Sequence, residues 1–394
     1  MSAEKEVASF PSHRMDQDMR QDKMKQTTYD TNSNSAAETD AALIAMSGGV
    51  DSSVAALRML DLGYKCVGCT MRLYENDMIG QDLLATCCSQ KDTEDARSVC
   101  ERLGIPYHIF HYERQFQEKV IEPFVQAYER CETPNPCIDC NRCMKFDSLF
   151  EKAEALGCRK IVTGHYARIE ERDGHTWLKK AADPRKDQSY VLYQLTEEQL
   201  SRIAFPLGEI TKEEVRKIAE EQGFRNAEKK ESQDICFVPD GDYAGMICRY
   251  RNREYPEGDI VDRDGNVLGR HRGLIHYTIG QRRGLGVPAD RRLYVTRLDP
   301  ETNRVVLSDE TDLFHKEVHV RDFHWITGPV PEGEVRCGAR IRYRQKEQPA
   351  TLIPGPEGGT ATLIFDAPQR AATPGQSAVF YDGDYVLGGG IITN

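Results

Sequence analysis

The stretch AALIAMSGGVDSS, residues 41–53, constrains this chain more than any other. Six mostly apolar residues, Ala41 to Met46, predict a short buried strand that ends in turn chemistry. Ser47, Gly48 and Gly49 turn the chain. Val50-Asp51-Ser52-Ser53 then opens a helix that runs through Val54, Leu57 and Leu60 to Gly63. Adjacent glycines let backbone approach an anion without a Cβ in the way. The unpaired amides of the helix start point at that anion, and Ser47, Ser52 and Ser53 add hydroxyls. The pattern is a phosphate cradle but not a P-loop, because no lysine follows the glycines at the required spacing. On its own, a Gly-Gly turn between strand and helix is equally well a plain tight turn.

The same alternation continues downstream. Strands are predicted at Lys65–Met71, Pro106–Phe110 and Lys160–Thr163, and helices at Lys91–Leu103, Arg114–Arg130 and Met144–Leu156. A further helix is predicted at Lys212–Gln222, with Thr211 as N-cap and Glu214 completing a capping box. Strands alternating with helices imply a parallel sheet with right-handed crossovers. Ligands bind beyond the carboxyl ends of such strands, where Gly48-Gly49 and Gly164-His165 both fall. From about Tyr250 the pattern shortens to alternating segments broken by RDGN, LDPETN, PGPEGG and YDGD, the turn spacing of an all-β region. Residues 1–40 are polar without aliphatic periodicity and are expected to be disordered. The expected division is therefore a 1–40 extension, a nucleotide-binding domain at 41–248, a small domain at 249–315 and a β-barrel at 316–394.

A formal net charge of -11 excludes a protein held to nucleic acid by bulk charge, while leaving room for a local basic surface. No apolar run approaches the ~18 residues of a membrane span. The N-terminus has no signal-peptide core, so a soluble cytoplasmic protein with no membrane partner is expected. Thirteen cysteines without a secretion signal point to thiol chemistry or metal binding rather than a disulfide framework.

Two cysteine-bearing segments stand out. CETPNPCIDCNRCMKF reads as a Pro- and Cys-rich loop with Cys137, Cys140 and Cys143 at intervals of three. Structural zinc is disfavoured because no second ligand pair follows at finger spacing, whereas Arg142 and Lys145 would favour a thiolate. ESQDICFVPDGDY carries Cys236, which a core position would explain as well as a reactive one.

Taken together, SGGVDSS, CCS at Cys87–Ser89, TPNPCIDCNRCMKF, TGHYAR, KDQSYVLY, ESQDICFV, HRGLIHYTIGQRRGLG, IRYRQ and PGQSAVFY resemble the tRNA-specific 2-thiouridylases (the MnmA/TrmU family). The motifs occur in the family's order across roughly residues 40–394. The resemblance implies an N-type ATP pyrophosphatase domain, adenine nucleotide α-hydrolase-like, followed by small β domains. It implies ATP-dependent 2-thiolation of the wobble uridine, position 34, in tRNAs for Lys, Glu and Gln, with a partner protein supplying sulfur. By the same resemblance Ala45, Met46, Ser47, Gly48, Gly49, Val50, Asp51, Ser52, Met71 and Gly164 line the ATP site, with Asp51 helping to hold Mg²⁺. Cys236 matches the persulfide-bearing cysteine and Cys140 the nucleophile, and a Cys140–Cys236 disulfide is implied at the end of a turnover. Implied tRNA contacts are Asn135, Pro136, Cys137, His165, Lys186, Asp187, Gln188, Arg342, Tyr343 and Gln376. The period-2 pattern of Ala339–Lys346 predicts a strand with Arg340, Arg342 and Arg344 on one face and Tyr343 on the other. Arg282-Arg283 and Arg291-Arg292, with His271 and His276, would extend the basic surface. The minor alternative to the persulfide route is an iron–sulfur cluster on Cys137, Cys140 and Cys236, leaving one iron open for sulfide.

Overall fold

The computed structural model describes residues 40–74, 90–229, 235–288, 290–356 and 358–393. The expected disorder of the N-terminal extension, the CCS motif and the Glu231–Asp234 part of the Cys236 motif fall outside these residues.

Strand β1 (Ala41–Ala45) is buried on both faces, as its unbroken apolar run requires. It is the middle strand of a five-stranded parallel sheet with β2 (Lys65–Arg72), β3 (Tyr107–His111), β4 (Lys160–Val162) and β7 (Ile203–Ala204), in the order β3-β2-β1-β4-β7. The chain leaves β1 toward β2 on one side and later returns to β4 on the other. The order therefore reverses beside β1, and a crevice opens beyond its carboxyl end. Helix α1 (Val50–Asp61), α2 (Gln90–Leu103) and α3 (Lys212–Glu221) pack Val54, Met59, Val99, Val215 and Ala219 into one core. Thr211 caps α3 in a full capping box with Glu214.

A four-stranded sheet follows, built from β8 (Gly258–Asp262), β9 (Val267–His271), β10 (Tyr294–Asp299) and β11 (Arg304–Ser308) in the order β10-β11-β8-β9. The last six strands are β12 (Phe314–Trp325), β13 (Val335–Arg340), β14 (Gln348–Pro354), β15 (Thr360–Arg370), β16 (Ser377–Asp382) and β17 (Tyr385–Ile392). Because β12 pairs with both β15 and β17, they close into an antiparallel barrel around Val318, Leu352, Phe365 and Phe380. Closure removes the free edges that an open sheet would expose. A hairpin of the nucleotide domain, β5 (Arg168–Arg172) and β6 (His175–Lys179), joins the barrel sheet where Lys179 pairs with Tyr385. Tyr190 and Tyr193, both fully buried, also reach the barrel, donating to or meeting Ser377 at 2.7 and 3.2 Å. The nucleotide domain and barrel thus share a core. No helix among the described residues is long and apolar enough to cross a membrane.

The segment read as a Pro- and Cys-rich loop is mostly helical. Asn135 accepts a hydrogen bond from the Cys137 amide (3.2 Å), and Pro136 occupies the first helical position, where it costs nothing. One turn, Pro136–Asp139, widens into a π-helical stretch, Cys140–Ser148, and returns to α-helix over Leu149–Ala155. The Asn-Pro pair was a helix start rather than a turn. Cys140 therefore stands on a helix.

Candidate active site

The phosphate loop leaves β1 with Met46 buried. Gly48 has φ +72, and a Cβ there would lie 2.3 Å from the Asp92 carbonyl oxygen. Only glycine fits. Gly49 begins α1 with no side-chain cap, which leaves first-turn amides for a ligand. Ser47 and Ser52 hydroxyls lie 3.3 Å apart, and Ser52 and Ser53 donate to the Gly49 carbonyl at 3.0 and 3.1 Å. A Cβ on Gly164 would come within 2.8 Å of Asp51 and Ser52 backbone, so the end of β4 is pressed against the start of α1. Met71 is buried on β2, beside this edge. The ten residues expected around ATP are thus gathered at the carboxyl ends of β1, β2 and β4.

The Asp51 carboxylate does not stand open. It accepts from the Lys212 ammonium at 2.6 and 2.8 Å and from the Tyr166 hydroxyl at 2.7 Å. Lys212 is only 5% exposed. A carboxylate, three serine hydroxyls and a lysine suit a magnesium pyrophosphate, since oxygen donors take the metal and the ammonium takes phosphate oxygens.

About 520 Å³ of cavity brings Cys140 and Cys236 together with Asn135, Pro136, Cys137, His165, Gln188, Tyr343 and Gln376. Cys140 is 9% exposed, and its neighbour Asn141 donates to the Val191 carbonyl at 3.1 Å, which fixes the helix against the domain. The Cys236 carbonyl accepts from the Tyr74 hydroxyl at 2.9 Å. Phe237 anchors the same segment against Phe124 and Phe116, with centroids 5.3 and 5.7 Å away. The barrel closes the cavity from the other side, because Thr133 donates to the Pro374 carbonyl (2.7 Å) and Gln376 donates to the Thr133 carbonyl (2.6 Å). His165 lies 2.7 Å from the Thr163 hydroxyl, and burial followed by the nearby Lys145 charge holds its imidazole well below the usual range. It is neutral at pH 7, a hydrogen-bonding group rather than a cation. Every described cysteine is an unbridged thiol.

A second cavity, about 650 Å³, lies along the Asp51 side and is lined by Lys186, Asp187, Arg344 and Lys346 among others. Gln188 and Tyr343 line both cavities. Asp187 is buried and accepts from Ala181 N, Ser189 N, Ser189 Oγ and Arg340 at 3.0–3.2 Å, so its carboxylate joins the domain to the barrel.

Residues 40–240 match a family profile described as the tRNA methyl transferase HUP domain. Residues 245–309 match its PRC-barrel domain and 315–392 an aminomethyltransferase beta-barrel domain. A tRNA-specific 2-thiouridylase MnmA of Clostridium botulinum is 45% identical over 350 residues, 89% of this chain and 97% of the relative. The protein of the same name from Acetivibrio thermocellus is 47% identical over 353 residues, 89% and 98% of the two chains. The chain belongs to the tRNA-specific 2-thiouridylase family. Its relatives' name speaks of sulfur transfer and the profile description of methyl transfer.

Two expectations for this thiouridylase-family chain need correction, and one minor alternative finds no support. Strand β13 ends at Arg340, and 341–344 turn, so the three arginines share no open face. Arg340 pairs with Asp187 and Glu347 at 3.1 and 2.9 Å. Arg342 donates to the Ala371 carbonyl and the Thr373 hydroxyl at 3.1 and 2.8 Å, and Arg344 alone is exposed. His271 is 1% exposed and is hydrogen-bonded to Asn303 O and Gly273 N, each at 3.0 Å, so it braces the small domain rather than its surface. Finally, among the described residues no group of three or more His, Cys, Asp or Glu is placed to hold a metal ion, so Cys137, Cys140 and Cys236 form no cluster site in this conformation.

Sequence reasoning also missed residues. Asn226 donates to the Gly48 carbonyl and Ser53 hydroxyl at 3.0 and 2.9 Å, and Lys229 donates to Gly48 O and Asp95 at 3.1 and 2.8 Å and pairs with Asp92. These side chains brace the loop from behind. Lys212 carried a signal that was there to read: a lysine in the first turn of a helix opposes the dipole and asks for another reason to be there.

Proposed function

We propose that this chain catalyses ATP-dependent 2-thiolation of the wobble uridine, position 34, of tRNAs for Lys, Glu and Gln, in the cytoplasm. The observation that carries the reading is that two thiols and the expected base contacts line one cavity, which shares Gln188 and Tyr343 with the cavity at Asp51. A flipped uridine in the thiol cavity would present O2 toward the phosphate loop; C2 of a stacked base would be out of reach. Uridine O2 is a poor leaving group, so it first attacks the ATP α-phosphate. The loop amides and Lys212 would receive the departing pyrophosphate, and Asp51 would hold a Mg²⁺ that offsets its charge. Cys236, charged as a persulfide by a cysteine desulfurase or relay protein, attacks C2 through its outer sulfur, and AMP departs. Cys140 then attacks the Cys236 sulfur. 2-Thiouridine is released and a Cys140–Cys236 disulfide remains, the two electrons coming from the thiols. Neutral His165, Asn135, Pro136, Cys137 and Gln376 would hold the base, with Lys186, Asp187, Gln188 and Tyr343 along the approach. Methyl transfer would leave both thiols and the pyrophosphate cradle without a task.

With tRNA, ATP, cysteine and a cysteine desulfurase, nucleoside mass spectrometry should find one 2-thiouridine per pyrophosphate released. A methylated uridine, or ATP turnover without thiouridine, would reject the reading.

The arginine geometry sorts the RNA contacts. Arg344→Ala should lower the slope of log affinity against log salt by about 0.9 or less, one phosphate's worth. Arg342→Ala should weaken binding with the slope unchanged, because its guanidinium is spent on the 371–373 backbone and hydroxyl that lead into Gln376. An equal slope change in both variants would place Arg342 on a phosphate instead.

A further inference from the structure

The mechanism above leaves the enzyme oxidised after each turnover, with Cys236 locked away from the next sulfur. The bridge it forms lies in a cavity where Cys140 is only 9% exposed, so an external reductant has poor access to the Cys140 sulfur. Cys137 is the third thiol lining the same cavity, and it is exposed. It sits three residues before Cys140, on the helical turn that Asn135 caps. Positions three apart on a helix hold their Cβ atoms roughly 5–6 Å apart. A disulfide spans about 3.5–4.5 Å between Cβ atoms and 4.4–6.8 Å between Cα atoms, so a small adjustment of the turn joins them. Cys143, the other neighbour at that spacing, does not line the cavity. It packs half-buried against the core, and burial raises its thiol, which disfavours the attacking thiolate. Cys137 and Tyr343 line this cavity together, and Tyr343 also lines the neighbouring one at Asp51.

We propose that Cys137 is the resolving thiol of this enzyme, moving the disulfide from the buried Cys140–Cys236 pair to a surface Cys137–Cys140 pair. The inference rests on the sulfur-transfer reading. The Cys137 thiolate attacks Sγ of Cys140. The Cys137–Cys140 bond forms, the Cys140–Cys236 bond breaks, and the electron pair leaves on Cys236, which takes a proton and is ready for a new persulfide. No electrons are gained or lost in this exchange. An external dithiol then reduces the exposed bridge and is itself oxidised to a disulfide.

The test is a disulfide map of the full-length enzyme after turnover with tRNA, ATP and desulfurase-supplied sulfur but no reductant, alkylated after acid quench. Wild-type enzyme should carry Cys137–Cys140 with Cys236 alkylated, in proportion to the 2-thiouridine formed. Cys137→Ser should instead retain Cys140–Cys236. If wild type forms thiouridine yet holds Cys140–Cys236 with Cys137 alkylated, or bridges Cys137 to Cys236, the resolving role is wrong and the sulfur-transfer reading stands. If wild type forms no thiouridine, the sulfur-transfer reading fails and this inference with it. The wild-type map decides by itself, whatever the stability of the variant.

Discussion

Cys236→Ser should reduce thiolation to background, and Cys140→Ser should do the same for a different reason. Both cysteines line the cavity that would receive the base, but they stand on different supports. Cys140 is held on a helix by Asn141, whereas Cys236 lies on a segment anchored by Tyr74 and Phe237. A serine at 236 has no sulfur to accept, so no persulfide forms there and no other group in the mechanism replaces it. A serine at 140 leaves that charging step intact, because the thiol being charged is untouched, and adenylation proceeds at the separate phosphate loop. Cys140→Ser should therefore become persulfidated on Cys236 and release pyrophosphate with tRNA, yet deliver no sulfur. Acid quench of the wild type within its first turnover, before Cys137 exchanges onto Cys140, should trap the Cys140–Cys236 bridge, which neither variant can form. Peptide mass spectrometry reads every one of these species. Persulfide found on Cys140 and never on Cys236 would reverse the assignment. Strict dependence on added iron, with iron lost from both variants, would replace the persulfide route by a cluster.

Asp51→Ala should abolish pyrophosphate release while tRNA binding persists. The carboxylate is the acidic side chain of the loop and would hold the Mg²⁺ that offsets the charge of pyrophosphate, which the loop amides and hydroxyls cannot offset by themselves. The substitution carries a second consequence. Lys212, 6% exposed at its side chain, would keep a buried ammonium without its carboxylate. Removing one partner of a buried pair costs about 3 kcal/mol or more, reduced here because Asp51 itself is 30% exposed. A drop in melting temperature is therefore expected with Asp51→Ala, and Asp51→Ala/Lys212→Met should recover much of it while remaining unable to adenylate. Binding of tRNA, measured at fixed salt, distinguishes a chemical defect from an unfolded chain. Normal ATP turnover in the single variant would remove the loop from the mechanism.

Much of this protein is determined by local sequence. The run Ala41–Met46 forms a buried strand and Thr211 with Glu214 closes a capping box, because each depends on neighbours a few residues away, whereas the space that admits only glycine at Gly48 is set by Asp92, distant in the chain. The Asn135-Pro136 helix start was equally local, but the prolines around it read as loop. What only the tertiary structure decided are contacts between residues distant in the chain. The Asp51–Lys212 pair spans 161 positions and the Arg340–Asp187 pair 153. Sequence periodicity says which residues lie on one face of an element. It is silent on which carboxylate meets that face, and so it read Arg340 and Arg342 as open basic surface and gave no sign that Lys212 pairs with Asp51. The same limit applies to His271, whose ring meets the carbonyl of Asn303, 32 positions away in the turn before β11. Charges taken out of water need partners, and those partners are chosen by folding in three dimensions rather than by spacing along the sequence.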